Sequence, residues 1–188
     1  DDKTETVTDL DKLLLSIVNY ADAAAKTTVA STAFKAAHTD ADFSMLPTFE
    51  AIIAEDKGEY NYDDVKQNLP PISMSLTETI MLTVFSLDEM NMMDDNSDMM
   101  KIGDVIVEKS SSVPTMAEFT GFYATDLYST ITFTFIELSS SGLTVTATTS
   151  LVQFLKSYQG TAEEALAAAT AQYLYVARLF CLNNQPNA

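Results

Sequence analysis

With one histidine, one cysteine, one arginine and no tryptophan, this chain has little from which to build an active site. Zinc sites made of histidine and cysteine need three or four such ligands, and one copy offers only His38 and Cys181. A serine triad would have to recruit His38, which falls at the end of a long helical pattern beside no serine motif. Neither GxSxG nor HExxH occurs. Cys181 follows Phe180 on an apolar helical face and reads as a small core hydrophobe. A lone cysteine makes no intrachain disulfide, which fits a reducing compartment or a secreted protein without bridges. Glycine is scarce too: Gly58, Gly103, Gly121, Gly142 and Gly160 belong to no GxGxxG or Walker pattern, which argues against nucleotide binding on a glycine-rich loop. Carboxylate pairs for glycoside hydrolysis are available among 27 acids, but tryptophan platforms for sugars are missing.

Positive charge is short as well. Ten Lys and Arg stand against 27 Asp and Glu, a net charge of −17. Phosphate recognition needs clustered bases, so no nucleic-acid partner is expected, nor adhesion to an anionic membrane surface. The charge keeps copies apart until salt or cations screen it. No uninterrupted apolar run approaches the roughly 20 residues that cross a bilayer, so no membrane span is expected. The chain starts "DDKTETVTDL", with no initiator methionine or signal peptide, and the expectation is a processed, secreted or surface-associated protein.

What is present is enough for a core: 47% of the 188 residues are hydrophobic. A single domain over 1–188 is expected. Thr8 and Asp11 form a capping-box pattern, and Leu10, Leu13, Leu14, Ile17, Val18, Ala21, Ala24 and Ala25 begin a helical stripe that continues through small residues. The spacing predicts a long helix over 8–38, then a short one over 47–55 with Pro47 in its first turn. Over 72–155 the period changes to two. Ile72, Met74, Leu76, Ile80, Leu82 and Val84 share one parity and predict one long strand. "KIGDVIVEK" (101–109) predicts a shorter one. Ile131, Phe133 and Phe135 alternate with threonines, as do Leu143, Val145 and Ala147, predicting a hairpin over 127–138 and 143–155. Gly160, Thr161 and Glu164 restart a helix over 161–182. The expected fold is α+β: an antiparallel sheet of about four strands packed with a long N-terminal helix and a C-terminal helix.

The segment "NMMDDNSDMM" carries the metal question. With Asp94 at position 1, Asn96 and Asp98 fall at positions 3 and 5 of an EF-hand loop. The template then demands Gly where Met99 stands and Glu where Val105 stands, so this is not an EF-hand. Asp94, Asn96 and Asp98 remain candidates for a weak, irregular Ca²⁺ site, against a solvated acidic loop. No other cofactor is expected. Met92, Met93, Met99 and Met100 flank the acids, and in an extended segment one member of each pair faces outward. They are read as a contact surface between chains, against the alternative of packing beneath the sheet. The threonine faces suit strands intrinsically, and a hydroxyl ladder for crystal-like surfaces is the less economical reading.

Long strands with few inward charges or prolines invite pairing between chains. The expected role is therefore a non-enzymatic structural subunit that self-assembles into a homo-oligomer such as a filament, sheath or shell. The alternative is a secreted or surface binding module that uses the Met-rich acidic segment 88–104 to hold a protein or small ligand. No small-molecule substrate is expected.

Overall fold

A computed structural model describes residues 8–25, 33, 36–76, 79–84, 99–106, 116–136 and 144–184. The fold is α+β, with two antiparallel sheets and helices at both ends of the chain. The chain forms two compact units whose segments alternate along the sequence. One comprises Asp1–Lys57, Ala124–Tyr128 and Val152–Ala188; the other comprises Gly58–Tyr123 and Ser129–Leu151.

The first unit is helical. α1 (Asp9–Ala25) opens the chain, and helical backbone recurs at Ala33, Ala36 and Ala37. α2 (Phe49–Glu55) is capped by Thr48, whose hydroxyl accepts the Ala51 N–H at 3.2 Å. Pro47 therefore precedes the cap instead of sitting in the first turn, and Phe49 and Ile52 are buried. The C-terminal helix spans Glu164–Asn183 and is labelled α5 below. Its start departs from a simple box: the Glu164 carboxylate accepts the Gly160 N–H at 2.9 Å, and the Thr161 hydroxyl accepts the Glu163 N–H at 3.2 Å. Glu164 and Arg178 are its only charged residues, so by length and composition it could cross a membrane. Ala167, Ala171, Leu174 and Val176 are buried inside the chain, and 33% of the apolar span is buried.

The second unit holds the short helix α3 (Tyr62–Val65) and seven strands. β1 (Ile72–Leu76), β2 (Ile80–Val84) and β5 (Ala117–Phe122) form a sheet in the order β1-β2-β5. β3 (Met99–Ile102), β4 (Val105–Ile106), β6 (Ile131–Ile136) and β7 (Thr144–Thr149) form the other, in the order β4-β3-β6-β7. The expected hairpin is present, with Phe133 opposite Ala147 and Thr134 opposite Thr146. On β6, Ile131, Phe133 and Phe135 are buried while the alternating Thr132 and Thr134 are half-buried, the pattern of a sheet with one core face.

Several expected elements differ in form. The single strand over 72–85 is two strands, β1 and β2, paired antiparallel with Ile72 opposite Val84 and Leu76 opposite Ile80. Among the described residues a four-stranded antiparallel sheet is present as expected, and a second sheet of three strands accompanies it. The strand over 101–109 turns back at Gly103 and Asp104, which puts Ile102 opposite Val105. Gly103 has φ 59°, a left-handed conformation that glycine adopts without steric penalty in a two-residue turn. Residues 151–156, expected as the end of the hairpin, form the helix α4 (Leu151–Lys156), with Leu151, Val152, Phe154 and Leu155 buried. A four-residue apolar cluster does not by itself separate a buried helix from a strand.

Candidate functional site

α1 carries three large hydrophobic residues that remain half-exposed. Thr8 and Asp11 close its start reciprocally: the Thr8 N–H donates to Asp11 Oδ2 at 2.8 Å, and the Asp11 N–H donates to Thr8 Oγ1 at 3.2 Å. The Thr8 hydroxyl, then the Thr8 N–H, hold the Asp11 carboxyl below its ordinary pKa. Helical spacing then sorts the residues of α1 into two stripes. Leu13, Ser16, Tyr20 and Ala23 form the first, with Ser16 and Ala23 buried and Leu13 and Tyr20 half-buried.

This first stripe lies alongside α5. Asn19 Nδ2 donates to Gln172 Oε1 at 2.6 Å, and the Tyr20 and Tyr173 rings stand 5.9 Å apart. At the other end Asn183 Nδ2 donates to Asp9 Oδ2 at 2.8 Å, so the two helices run antiparallel. Ser16 turns its hydroxyl back onto the Leu13 carbonyl at 2.7 Å, which satisfies a polar group where no water reaches.

The second stripe is Leu10, Leu14, Ile17, Ala21 and Ala24, with spacings of four and three residues in alternation. At 3.6 residues per turn it is centred roughly 100° around the helix from the first and runs about 21 Å. Leu10 is 51% exposed, Leu14 54% and Ile17 43%. Single exposed hydrophobes are ordinary, but three large ones at consecutive heptad positions form a seam. None of its five positions carries a charge, in a chain whose net charge is −17.

The densest polar constellation is elsewhere in the helical unit. Arg178 lays its guanidinium over the Tyr128 ring, 5.2 Å from the centroid. The Tyr128 hydroxyl donates to the Ile52 carbonyl at 3.0 Å, and the Tyr175 hydroxyl donates to Glu55 Oε1 at 2.8 Å. Burial, and then the nearby Glu55, push both phenols above their ordinary pKa, with Arg178 opposing. Both tyrosines thus stay protonated as donors. This arrangement ties the segment Ala124–Tyr128 and the end of α2 to α5, a bracing role that needs no ligand.

An open cleft of about 290 Å³ has Asp9, Lys12, Leu46, Tyr175 and Leu179 among its lining residues. Its two charges are of opposite sign, and it holds no nucleophile beside a base. Among the described residues no three His, Cys, Asp or Glu side chains gather as metal ligands. His38 is half-buried in the turn after the helical segment, and Cys181 is exposed near the end of α5, not buried in a core as expected. Cys181 lies seven residues beyond the buried Leu174 and so continues its stripe, but in the last turn of the helix.

Asp94, Asn96 and Asp98, the candidate Ca²⁺ ligands, and Met92 and Met93 lie outside the described residues. Met99 begins β3 opposite Ile136. Met100 pairs with Phe135 and is fully buried by its own chain, so its side chain offers no surface to a partner. Leu10, Leu14 and Ile17 escape sequence reasoning because they merge with Leu13 into one wide apolar face. The available signal is that width, since a core-facing helix needs an arc of little more than 100°.

Comparison of the chain with protein-family models, curated proteins and solved structures finds no match.

Proposed function

We propose that this protein is a non-enzymatic structural subunit that self-assembles into a homo-oligomer such as a filament, sheath or shell. The observation that carries this reading is the uncharged seam of Leu10, Leu14 and Ile17, half-exposed on a capped helix. A heptad seam of this kind is self-complementary, so the same stripe on another copy is a fitting cover. Finishing the burial of each half-exposed Leu or Ile contributes about 1 kcal/mol, hence about 6 kcal/mol for two copies. Association itself costs about 4–15 kcal/mol, so the seam alone supports a weak pair and a durable assembly needs a further contact. The net charge of −17 opposes approach, and screening by salt favours it.

A binding module acting through residues 88–104 is the alternative. Within that segment, Met100 is the one methionine whose side chain is described, and it packs inward. The half-exposed Leu10, Leu14 and Ile17 favour the α1 seam as the contact surface.

Size-exclusion chromatography with light scattering, over a range of protein and salt concentrations, tests the proposal. The wild type should associate, more so at high salt. Replacing Leu10, Leu14 and Ile17 together by Gln should shrink the assembly while leaving the circular-dichroism spectrum unchanged. A wild-type monomer at high concentration in every salt condition overturns the reading.

A further inference from the structure

Among the described residues the two sheets present four edge strands, and three are guarded. β7 is met by Asn61, which lies just before α3: its Nδ2 donates to the Thr146 carbonyl at 3.1 Å, and its Oδ1 accepts the Thr148 N–H at 2.7 Å. One side-chain amide thus occupies the donor and acceptor that a neighbouring strand would use. β4 is two residues long, too short to template another strand. β5 carries Glu118 and meets β2 through a register shift between Ile80 and Leu82, with Gly121 at φ 113°. A bulge of this kind twists an edge away from partners.

β1 has none of these devices. Ile72–Leu76 is five residues long, has no charge, proline or glycine, and pairs with β2 in unbroken register. Among the described residues, Ile72–Leu76 make no hydrogen bonds beyond that pairing. Ser75 adds an independent sign. Its Oγ is shut off from solvent and has no hydrogen-bond partner in its own chain. Native structures rarely leave a buried hydroxyl in that state, so a rotation that brings it to a partner is favourable.

We infer that β1 is a strand-addition edge whose occupant is β1 of a second copy of this chain, paired antiparallel about Met74. The sequence "ISMSL" is self-complementary in that register. Ile72 faces Leu76 of the second copy, Met74 faces Met74, and Ser73 faces Ser75. Apolar residues meet apolar ones on one face, and on the other Ser73 faces Ser75, whose closed-in hydroxyl reaches it by turning outward. No like charges meet at the junction, which matters for a chain of net charge −17. The inference rests on the self-assembly reading and extends it. The α1 seam and the β1 edge are two unlike, self-complementary contacts on one subunit, so one copy can engage a second copy through each. Growth then continues past a dimer.

The test measures assembly size for four proteins at high salt: wild type, the Leu10/Leu14/Ile17→Gln variant, Ser73→Lys, and their combination. Lysine on an edge strand is a standard guard against pairing and should weaken the β1 contact at least tenfold. Wild type should exceed a dimer, each single-surface variant should stop at a dimer, and the combination should be monomeric. A second measurement is independent of Ser73→Lys. In a Cys181→Ser background, Met74→Cys should give a disulfide-linked dimer on mild oxidation, because paired antiparallel strands bring facing Cα atoms to about 4.5–5.5 Å. If Ser73→Lys assembles as wild type does and Met74→Cys yields no linked dimer, β1 addition is overturned while the α1 proposal stands. If wild type is monomeric throughout and Met74→Cys fails to link, both are overturned.

Discussion

The two sides of α1 invert the usual arrangement of a surface helix. The side that packs on α5 is built from Ser16, Ala23, a half-buried Leu13 and Tyr20, with Asn19 bonded to Gln172 at its margin. The side left to solvent carries Leu10, Leu14 and Ile17. Small and polar residues suffice where another helix of the same chain approaches closely, because close approach supplies contact without bulk. Large aliphatic residues are spent where they stay half-exposed among the described residues. A helix evolved only to hold this fold would place them the other way round. The inversion is intelligible if the leucine side is completed by another molecule.

The comparison can be broken most directly with one truncation on each side of the divide. Leu174 on α5 is fully buried in the helical unit, and Leu174→Ala should cost about 2–5 kcal/mol, the range for a cavity in a packed core. Leu14→Ala removes the same side chain from the exposed seam and should change monomer stability by no more than about 0.5 kcal/mol. Urea unfolding at low protein concentration measures both. A Leu14→Ala loss as large as that of Leu174→Ala would mean that the chain already buries the seam, and the case for a partner there would fail.

Much of the fold was legible, and the misreadings have specific causes. The start of α1 came through because Thr8–Asp11 is a local signal whose hydrogen bonds lie within one turn, whereas Thr48, an equally local cap, was overlooked in favour of Pro47. The 72–85 region misled because β1 and β2 pair with even residues opposite even ones, as in Met74 opposite Leu82. Apolar parity therefore runs unbroken through the reversal, and alternation cannot report that the chain has turned. Gly103 was the missed cue in 101–109: a glycine followed by Asp is a turn signal that outweighs the apolar residues on either side. The contact surface is a harder case. Periodicity says that a side chain is on an apolar face, but whether its own chain covers that face depends on how far α5 reaches around α1. Asn61 was equally invisible, since its value lies in reaching an edge strand more than eighty residues away in sequence.

Alkaline pH should strike the buried side of α1 and spare the exposed one. Burial pushes the phenols of Tyr20, Tyr128, Tyr158 and Tyr175 above their ordinary value, and all four belong to the helical unit. The folded state then keeps protons that the unfolded state releases near its ordinary pKa of about 10. Their contribution to stability is complete below that value and is lost as pH rises through the raised folded pKa values. Thermal unfolding followed by circular dichroism should show a midpoint that falls steeply above about pH 10. Tyr20→Phe should make that fall shallower, whereas Leu14→Gln should leave its slope unchanged. Equal slopes for wild type and Tyr20→Phe would show that the α1–α5 contact does not hold Tyr20 protonated.

The smallest expected effect sharpens the comparison at the helix start, where both stripes depend on the same cap. Thr8→Ala removes the hydroxyl that accepts the Asp11 N–H and donates to the Asp11 carboxylate. At neutral pH the loss should be about 1 kcal/mol, the usual cost of an N-cap hydroxyl. The Asp11 carboxyl, held below its ordinary pKa by Thr8, should return toward that ordinary pKa in the variant. Because the folded pKa is the lower one, the stability from this pairing is present above the unfolded value and disappears as pH falls through the folded value. The gap between wild type and Thr8→Ala should therefore narrow in strong acid to the part owed to the Asp11 N–H bond, which urea titrations between neutral and acidic pH would show. A gap that does not narrow when Asp11 is protonated would place the cap's effect in that N–H bond alone. With the α1 start frayed in Thr8→Ala, Leu10 is the seam residue nearest the damage, so association should weaken slightly more than folding does. Association and folding declining in parallel would instead mean that the seam does not depend on an ordered first turn.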